Sequence, residues 1–301
     1  MKFAAFPAGL LFLATIFVRE RASAETAGNR ITILYDAFGK PSALRMDWGY
    51  AAIIEHGGKR ILFDTGNNPE TFRHNVETLK LNLKDLDFVV LSHRHGDHTS
   101  GLKYVLQVNP RVPIFAPYEI SQFGTPAMPG IVSATNRHIA TLPEYMHYFG
   151  GKPQQLGPSG SPWPNAHFTQ IDKTTEVAPG FFLVSTISDT AGTKEMHEIS
   201  LAFRTPQGLV LVVGCSHPGI LNIVKETATI DARIYSVFGG FHLLSTSDDE
   251  VQRIARELHD TWKIPTIGPG HCGGLGAFAA LRDLYQGKYI YAGLGTSTPL
   301  P

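Results

Sequence analysis

The residues best suited to do chemistry lie together at Ser92-His93-Arg94-His95-Gly96-Asp97-His98. Alternate residues of an extended chain project to the same side, so His93 and His95 can grip one cation together. Asp97 and His98 follow where the chain turns, and can reach a second. Three histidines and an aspartate within six residues are costly to bury unless something coordinates them. Mixed imidazole and carboxylate donors suit zinc, with iron or manganese as alternatives. The pattern predicts two divalent metal ions sharing a hydroxide, which lowers the pKa of water from ~15.7 toward ~7. Asp97 is placed to ligate one metal and to orient that hydroxide.

Several elements must position this cluster. The apolar run Phe88-Val89-Val90-Leu91 has the form of a buried strand and leads straight into it. Residues 31–35 read as a strand, and 50–54 and 60–63 flank Gly57-Gly58 as a hairpin. Further strands are expected over 181–186, 234–238 and 289–291, with a hairpin of 199–204 and 209–213 around Pro206-Gln207-Gly208. Helices are expected over 69–79, 102–108 with Ser100 as a cap, 219–227, 250–262 after Ser247-Asp248-Asp249, and 277–285. Residues 119–180 are rich in proline, glycine and aromatics and read as an insertion over the site or along its rim, with a short helix over 142–148. Hairpins interleaved with helices predict two sheets with helices outside them, in one domain over 25–301.

His93-x-His95-x-Asp97-His98 after one buried strand, with Asp64-Thr65-Gly66 after another, resembles the metallo-β-lactamase superfamily. Three stretches resemble a narrower branch of it: Val213-Gly214-Cys215-Ser216-His217-Pro218-Gly219-Ile220, Gly239-Gly240-Phe241-His242-Leu243 and Gly268-Pro269-Gly270-His271-Cys272-Gly273-Gly274. That branch holds proteins named as the archaeal dihydropterin-linked ribofuranosylaminobenzene phosphate synthase, and bacterial hydrolases of unknown substrate. The resemblance spans roughly residues 30–298. It implies an α+β fold, a four-layer αβ/βα sandwich of two mixed sheets flanked by helices, with a dinuclear site along one edge. It also implies that Asp64 accepts the rear N–H of a ligand histidine, and that His271 is the last metal ligand.

The middle of the pattern departs from the family's. Many members carry a Gly-Asp whose aspartate bridges both metals, and here the matching strand end is Gly214-Cys215. A cysteine is a ligand at a comparable position in one class of β-lactamases, so a Cys215 thiolate is a candidate. His217, two residues on in the same strand phase, ranks ahead of it, and both can bind together. His197 is the candidate for the family's upstream histidine, with the neighbouring Glu198 competing. His242 ends a strand aimed at the same edge and reads as a catalytic residue that contacts substrate or donates a proton, against a histidine packed beside Phe241. His56, His74, His138, His147, His167 and His259 show no ligand spacing and read as surface residues.

Composition narrows the function further. The chain has 301 residues, 43% of them hydrophobic, enough for one large core. Lys+Arg and Asp+Glu both number 26, so nothing in the charge favours a nucleic-acid partner. Lys2, an apolar run over 4–18 and Ala22-Ser23-Ala24 read as a signal peptide over 1–24. The run is short of the ~20 residues a spanning helix needs, although Arg19-Glu20-Arg21 leaves an uncleaved anchor open. Cleavage removes three cations and one anion, taking the net charge from +0 to −2. An exported, periplasmic or secreted, protein meets an oxidising compartment, where Cys215 and Cys272 can pair; roles beside the metals compete with that disulfide. The expectation is an exported dinuclear metal-dependent hydrolase acting on a small ester, lactone, amide or phosphoester. A pterin-pathway synthase-like transferase and a catalytically silent metal-dependent sensor are the alternatives.

Overall fold

Continuous apolar strands need cover on both faces, and that requirement sets the architecture. The structure, a computed structural model, describes residues 28–119, Phe123, Trp163 and 165–301. The expected signal peptide, the helix over 142–148 and most of the expected insertion lie outside the described residues.

In chain order the strands are β1 (Arg30–Tyr35), β2 (Ala51–His56), β3 (Lys59–Phe63), β4 (Phe88–Val90), β5 (Pro113–Pro117), β6 (His167–Ile171), β7 (Thr175–Ala178), β8 (Phe181–Ile187), β9 (His197–Thr205), β10 (Gly208–Val213), β11 (Ile234–Gly240), β12 (Thr266–Gly270) and β13 (Ser297–Pro299). They form a seven-stranded sheet, β13-β1-β2-β3-β4-β5-β6, and a six-stranded sheet, β12-β11-β10-β9-β8-β7. Strands β3 to β6 run parallel in the first, and β10 to β12 in the second.

Alternation along the strands builds three apolar layers. Ile61 and Phe63 of β3 point between the sheets, where they join Val90, Leu201 and Phe203, while Leu62 points outward. In β10, Val210 and Val212 face the inter-sheet core and Leu211 and Val213 the outer one. Helices α1 (Pro69–Thr78) and α3 (Leu102–Val108) cover the first sheet, around Phe72 and Val105. Helices α4 (Ile220–Thr227), α5 (Asp248–Arg256) and α6 (Leu275–Tyr285) cover the second, around Ile223, Ile254 and Leu281. Between α1 and α3 lies the single turn α2 (Gly96–Thr99). The result is the αβ/βα sandwich expected from the resemblance.

Several elements differ from expectation. Residues 167–178, placed in the insertion, form β6 and β7, one at the edge of each sheet. The half-exposed sequence of β6, burying little but Ile171, carries no strong apolar signal. The terminal strand is β13 and not 289–291, where Tyr289 makes only an isolated bridge to Ile267. Ser100 does not cap α3; its hydroxyl donates back to Gly96 O at 2.6 Å, at the end of α2. His56 is buried, its Nε2 2.9 Å from Arg204 O and its ring 4.8 Å from that of Phe203.

Phe203 stacks on Phe181 at 5.8 Å between the sheets. Phe203→Ala is expected to cost about 3–5 kcal/mol of stability in urea denaturation.

Candidate metal centre

The parallel strands of both sheets end at a common edge, and the chemistry-bearing residues occupy the turns just beyond. Asp64 follows β3, the histidine cluster follows β4, Cys215 and His217 follow β10, His242 follows β11, and His271 follows β12. Carboxyl ends of parallel strands are the usual place for ligand sites in such sheets. The two sheets are tied together there: Ile199 N donates to Ser92 O at 2.8 Å.

Side chains converge in two principal groups, in each of which the ligand atoms lie within 4.8 Å of one another. His93, His95 and His217 form the first, with His93 Nε2 3.1 Å from His95 Nδ1. Asp97, His98, Cys215 and His271 form the second. There His98 Nε2 lies 3.2 Å from both Cys215 Sγ and His271 Nε2, and Asp97 Oδ2 lies 3.4 Å from His271 Nε2. His242 makes a third group with Cys215 and His217, its ring 4.5 Å from that of His217.

Hydrogen bonds behind the ligands settle which ring nitrogens are bare. Asp64, fully buried, accepts from Ser92 N at 2.7 Å, from Ser92 Oγ at 2.8 Å and from His98 Nδ1 at 2.6 Å. Because the Ser92 hydroxyl gives its proton to Asp64, it accepts from His93 Nδ1 at 2.9 Å. In their neutral forms both rings therefore carry the lone pair on Nε2, facing the cluster. Glu198 does the same for His217, accepting its Nδ1–H at 3.1 Å. Lone pairs, a thiol and a carboxylate that face one another cannot all satisfy each other with protons. A cation satisfies them together, so the donor set fits a metal.

The electrostatics set the two rings apart. Burial and the surrounding imidazoles push His93 well below its ordinary pKa, keeping it neutral. Burial would lower His98 too, but the charge and hydrogen bond of Asp64 raise it to about 9, so without a cation its Nε2 holds a proton that a bound cation would displace. Asp97 is held below the usual carboxylate range in spite of its burial, by His271 and His98.

The turns are strained. Asp64, Ser216, His242 and His271 have φ of 57°, 65°, 53° and 45°, in the left-handed region. Such backbone costs on the order of 1–3 kcal/mol per residue and persists only where surrounding contacts over-determine it. One of those contacts is Asp36, which accepts the His271 N–H at 2.9 Å and is pushed by burial up to about 8. Gly214 is required by close approach, since a Cβ there would collide with Ser92 Oγ.

The structure brings His93, His95, Asp97, His98, Cys215, His217, His271 and His242 to one place, with Asp64 behind them. It leaves out His197. Strand alternation turns Glu198 inward, whereas His197, the outward neighbour, packs its ring 6.1 Å from that of Tyr118 and joins none of the donor groups. Glu198 joins none of the donor groups; it holds the turn that carries two of the candidate ligands, Cys215 and His217. Cys215 and Cys272 are both buried and free, and the Cys272 thiol donates to Cys215 O at 3.4 Å. The sequence reading missed Asp36, although Ile33-Leu34-Tyr35-Asp36 repeats the pattern of Ile61-Leu62-Phe63-Asp64.

A family model described as the metallo-beta-lactamase superfamily matches residues 49–215. The chain is 31% identical over 261 residues to an uncharacterized protein of Methanocaldococcus jannaschii, covering 82% of this chain and 91% of that one. It is 29% identical over 269 residues to the 7,8-dihydropterin-6-methyl-4-(beta-D-ribofuranosyl)-aminobenzene-5'-phosphate synthase of the same organism, covering 81% and 86%. The solved structure of a metal-dependent hydrolase of the beta-lactamase superfamily shares the fold, with a TM-score of 0.67 and 24% identity over 90% of this chain and 99% of that one.

Asp64→Ala would strand the Ser92 and His98 donors in a buried site. In the presence of chelator it is expected to lower stability by about 3–5 kcal/mol in urea denaturation.

Proposed function

Because the chain belongs to the metallo-beta-lactamase superfamily, we propose that it is an exported hydrolase holding two divalent cations, zinc by its donor set, and acting on a small ester, lactone, amide or phosphoester. One observation carries this reading. Two donor groups, His93/His95/His217 and Asp97/His98/Cys215/His271, stand side by side, and the rear nitrogens of His93, His98 and His217 are already engaged. Three protein ligands with an open position is the pattern of a catalytic zinc, and a sulfur among the four of the second group also suits zinc. Bound cations supply Lewis acidity there, making water acidic near neutral pH and polarising the oxygen under attack.

The chain's own residues do the rest. Asp97 keeps its side chain 19% exposed toward the cleft, where it can accept a hydrogen bond and orient the attacking water. His242 is exposed at the mouth. A hydrogen bond with the Cys272 side chain raises its pKa above the ordinary value, which suits a group that gives a proton to a leaving group. A cavity of about 300 Å³ opens beside His217 and His242, between α4 and α5, with Leu221, Asn222 and Arg253 in its walls. That volume suits a small molecule. The exposed Trp48 ring lies 4.9 Å from that of His271 and gives the second donor group an apolar neighbour. Export rests on Lys2, the apolar run over 4–18 and Ala22-Ser23-Ala24. No helix among the described residues is long and apolar enough to cross a membrane.

A second reading, group transfer, is favoured by the 29% identity to the archaeal synthase. A panel of ester, lactone, phosphodiester and β-lactam substrates with zinc-loaded protein separates the two. Hydrolysis of one class, abolished by His95→Ala, is expected; tight binding without turnover would contradict a hydrolase. His242→Ala is expected to lower kcat by about 10²–10⁴-fold with little change in KM, measured on the substrate the panel identifies.

A further inference from the structure

Cys215 and His217 belong to different donor groups but to the same turn. Cys215 stands with Asp97, His98 and His271, and His217 with His93 and His95. A single carboxylate holds that turn. Glu198 Oε1 accepts the N–H of Cys215 at 3.1 Å and of Ser216 at 2.7 Å. Its Oε2 accepts the N–H of His217 at 2.9 Å and the ring Nδ1–H at 3.1 Å. Glu198 is fully buried, so these four donors are its solvation.

We propose that Glu198 is a positioning residue that couples the two metal subsites, holding Cys215 Sγ and His217 Nε2 in one rigid turn so that both cations depend on it though it touches neither.

Three successive N–H groups aimed at one anion form a concave nest, and the left-handed Ser216 at φ 65° lets the chain fold around the carboxylate. On the far side Ser216 Oγ donates to Gly240 O at 2.7 Å, anchoring the turn to β11. With both ends held, the turn has no freedom to move one ligand without the other. A bridging side chain would couple two cations directly; here the coupling runs through backbone. A carboxylate has about four acceptor sites and all are used, whereas an amide oxygen has two. In Glu198→Gln, the amide group must therefore face either the Cys215 and Ser216 N–H groups or the His217 pair. Facing His217, it would donate to Nδ1 and drive the ring proton onto Nε2, removing that lone pair.

The inference rests on the dinuclear reading but not on hydrolysis, and the test uses no substrate. Chelator-stripped full-length chain is titrated with cobalt(II), with elemental analysis and the near-ultraviolet thiolate-to-cobalt band as readouts. The wild type is expected to take up two cobalt ions and show the band. Glu198→Gln is expected to weaken both sites by at least about tenfold and to diminish the band at limiting cobalt, although every ligand remains. His217→Ala is expected to lose one cobalt and keep the band. A folded Glu198→Gln chain that binds both ions like wild type overturns the coupling. So does one that loses only one ion with the band intact, because Glu198 would then serve His217 alone. If Glu198→Gln fails to fold, Glu198→Asp gives the same readouts: its carboxylate stops one methylene short, paired weakening is expected, and wild-type behaviour overturns the proposal. A wild type that takes up no cobalt overturns the dinuclear reading and the coupling together; wild-type uptake with an unaffected variant overturns the coupling alone.

Discussion

The lone pairs of this site face one another because buried acceptors behind them take the opposing protons. Asp64 takes the hydrogen of His98 and, through Ser92, leads to that of His93; Glu198 takes the hydrogen of His217. Asp36 acts on backbone alone, at His271. None of the three carboxylates is exposed. Removing a carboxylate from water is expensive, and each is stabilised by two or more N–H or O–H donors that point at it. Apart from the Ala37 N–H on Asp36, those donors belong to the turns bearing the candidate ligands.

The fold supplies what these carboxylates need. Parallel strands from two sheets finish at one edge, so short turns can bring donors from distant parts of the chain within a few ångströms. The inter-sheet core around Phe63, Val90, Leu201 and Phe203 holds the strands in register beneath. Strain then concentrates where the ligands are, at Asp64, Ser216, His242 and His271. Left-handed backbone at non-glycine residues is retained when neighbouring contacts leave no alternative. Here those contacts include the Asp36 and Glu198 hydrogen bonds.

The features legible in the sequence were the local ones. His93, His95, Asp97 and His98 lie within one short stretch, and the structure gathers them at one edge, in two groups that could each hold a metal ion. Asp64 was readable through Asp64-Thr65-Gly66, and His271 through its glycine-flanked turn. Two sheets with helices outside followed from hairpins interleaved with helices, and the αβ/βα sandwich from the family resemblance. What stayed hidden depended on strand phase or on distant partners. Adjacent residues point opposite ways, and β9 is buried along nearly its whole length, so hydropathy could not say whether His197 or Glu198 turns inward. Asp36 finds its partner 235 residues away. Strands β6 and β7 escaped because edge strands with one wet face give weak apolar patterns.

The unusual point in this centre is that a cysteine and a histidine from one turn stand where the family pattern often has an aspartate. A soft sulfur donor in one group and only imidazoles in the other make the two subsites chemically distinct. That distinction gives the most direct test of the account: zinc content of the purified protein, with X-ray absorption at the zinc edge. The account expects about two zinc ions per chain, with sulfur among nitrogen and oxygen donors in the averaged shell. A folded chain that holds no metal and takes up neither zinc, iron nor manganese would contradict it.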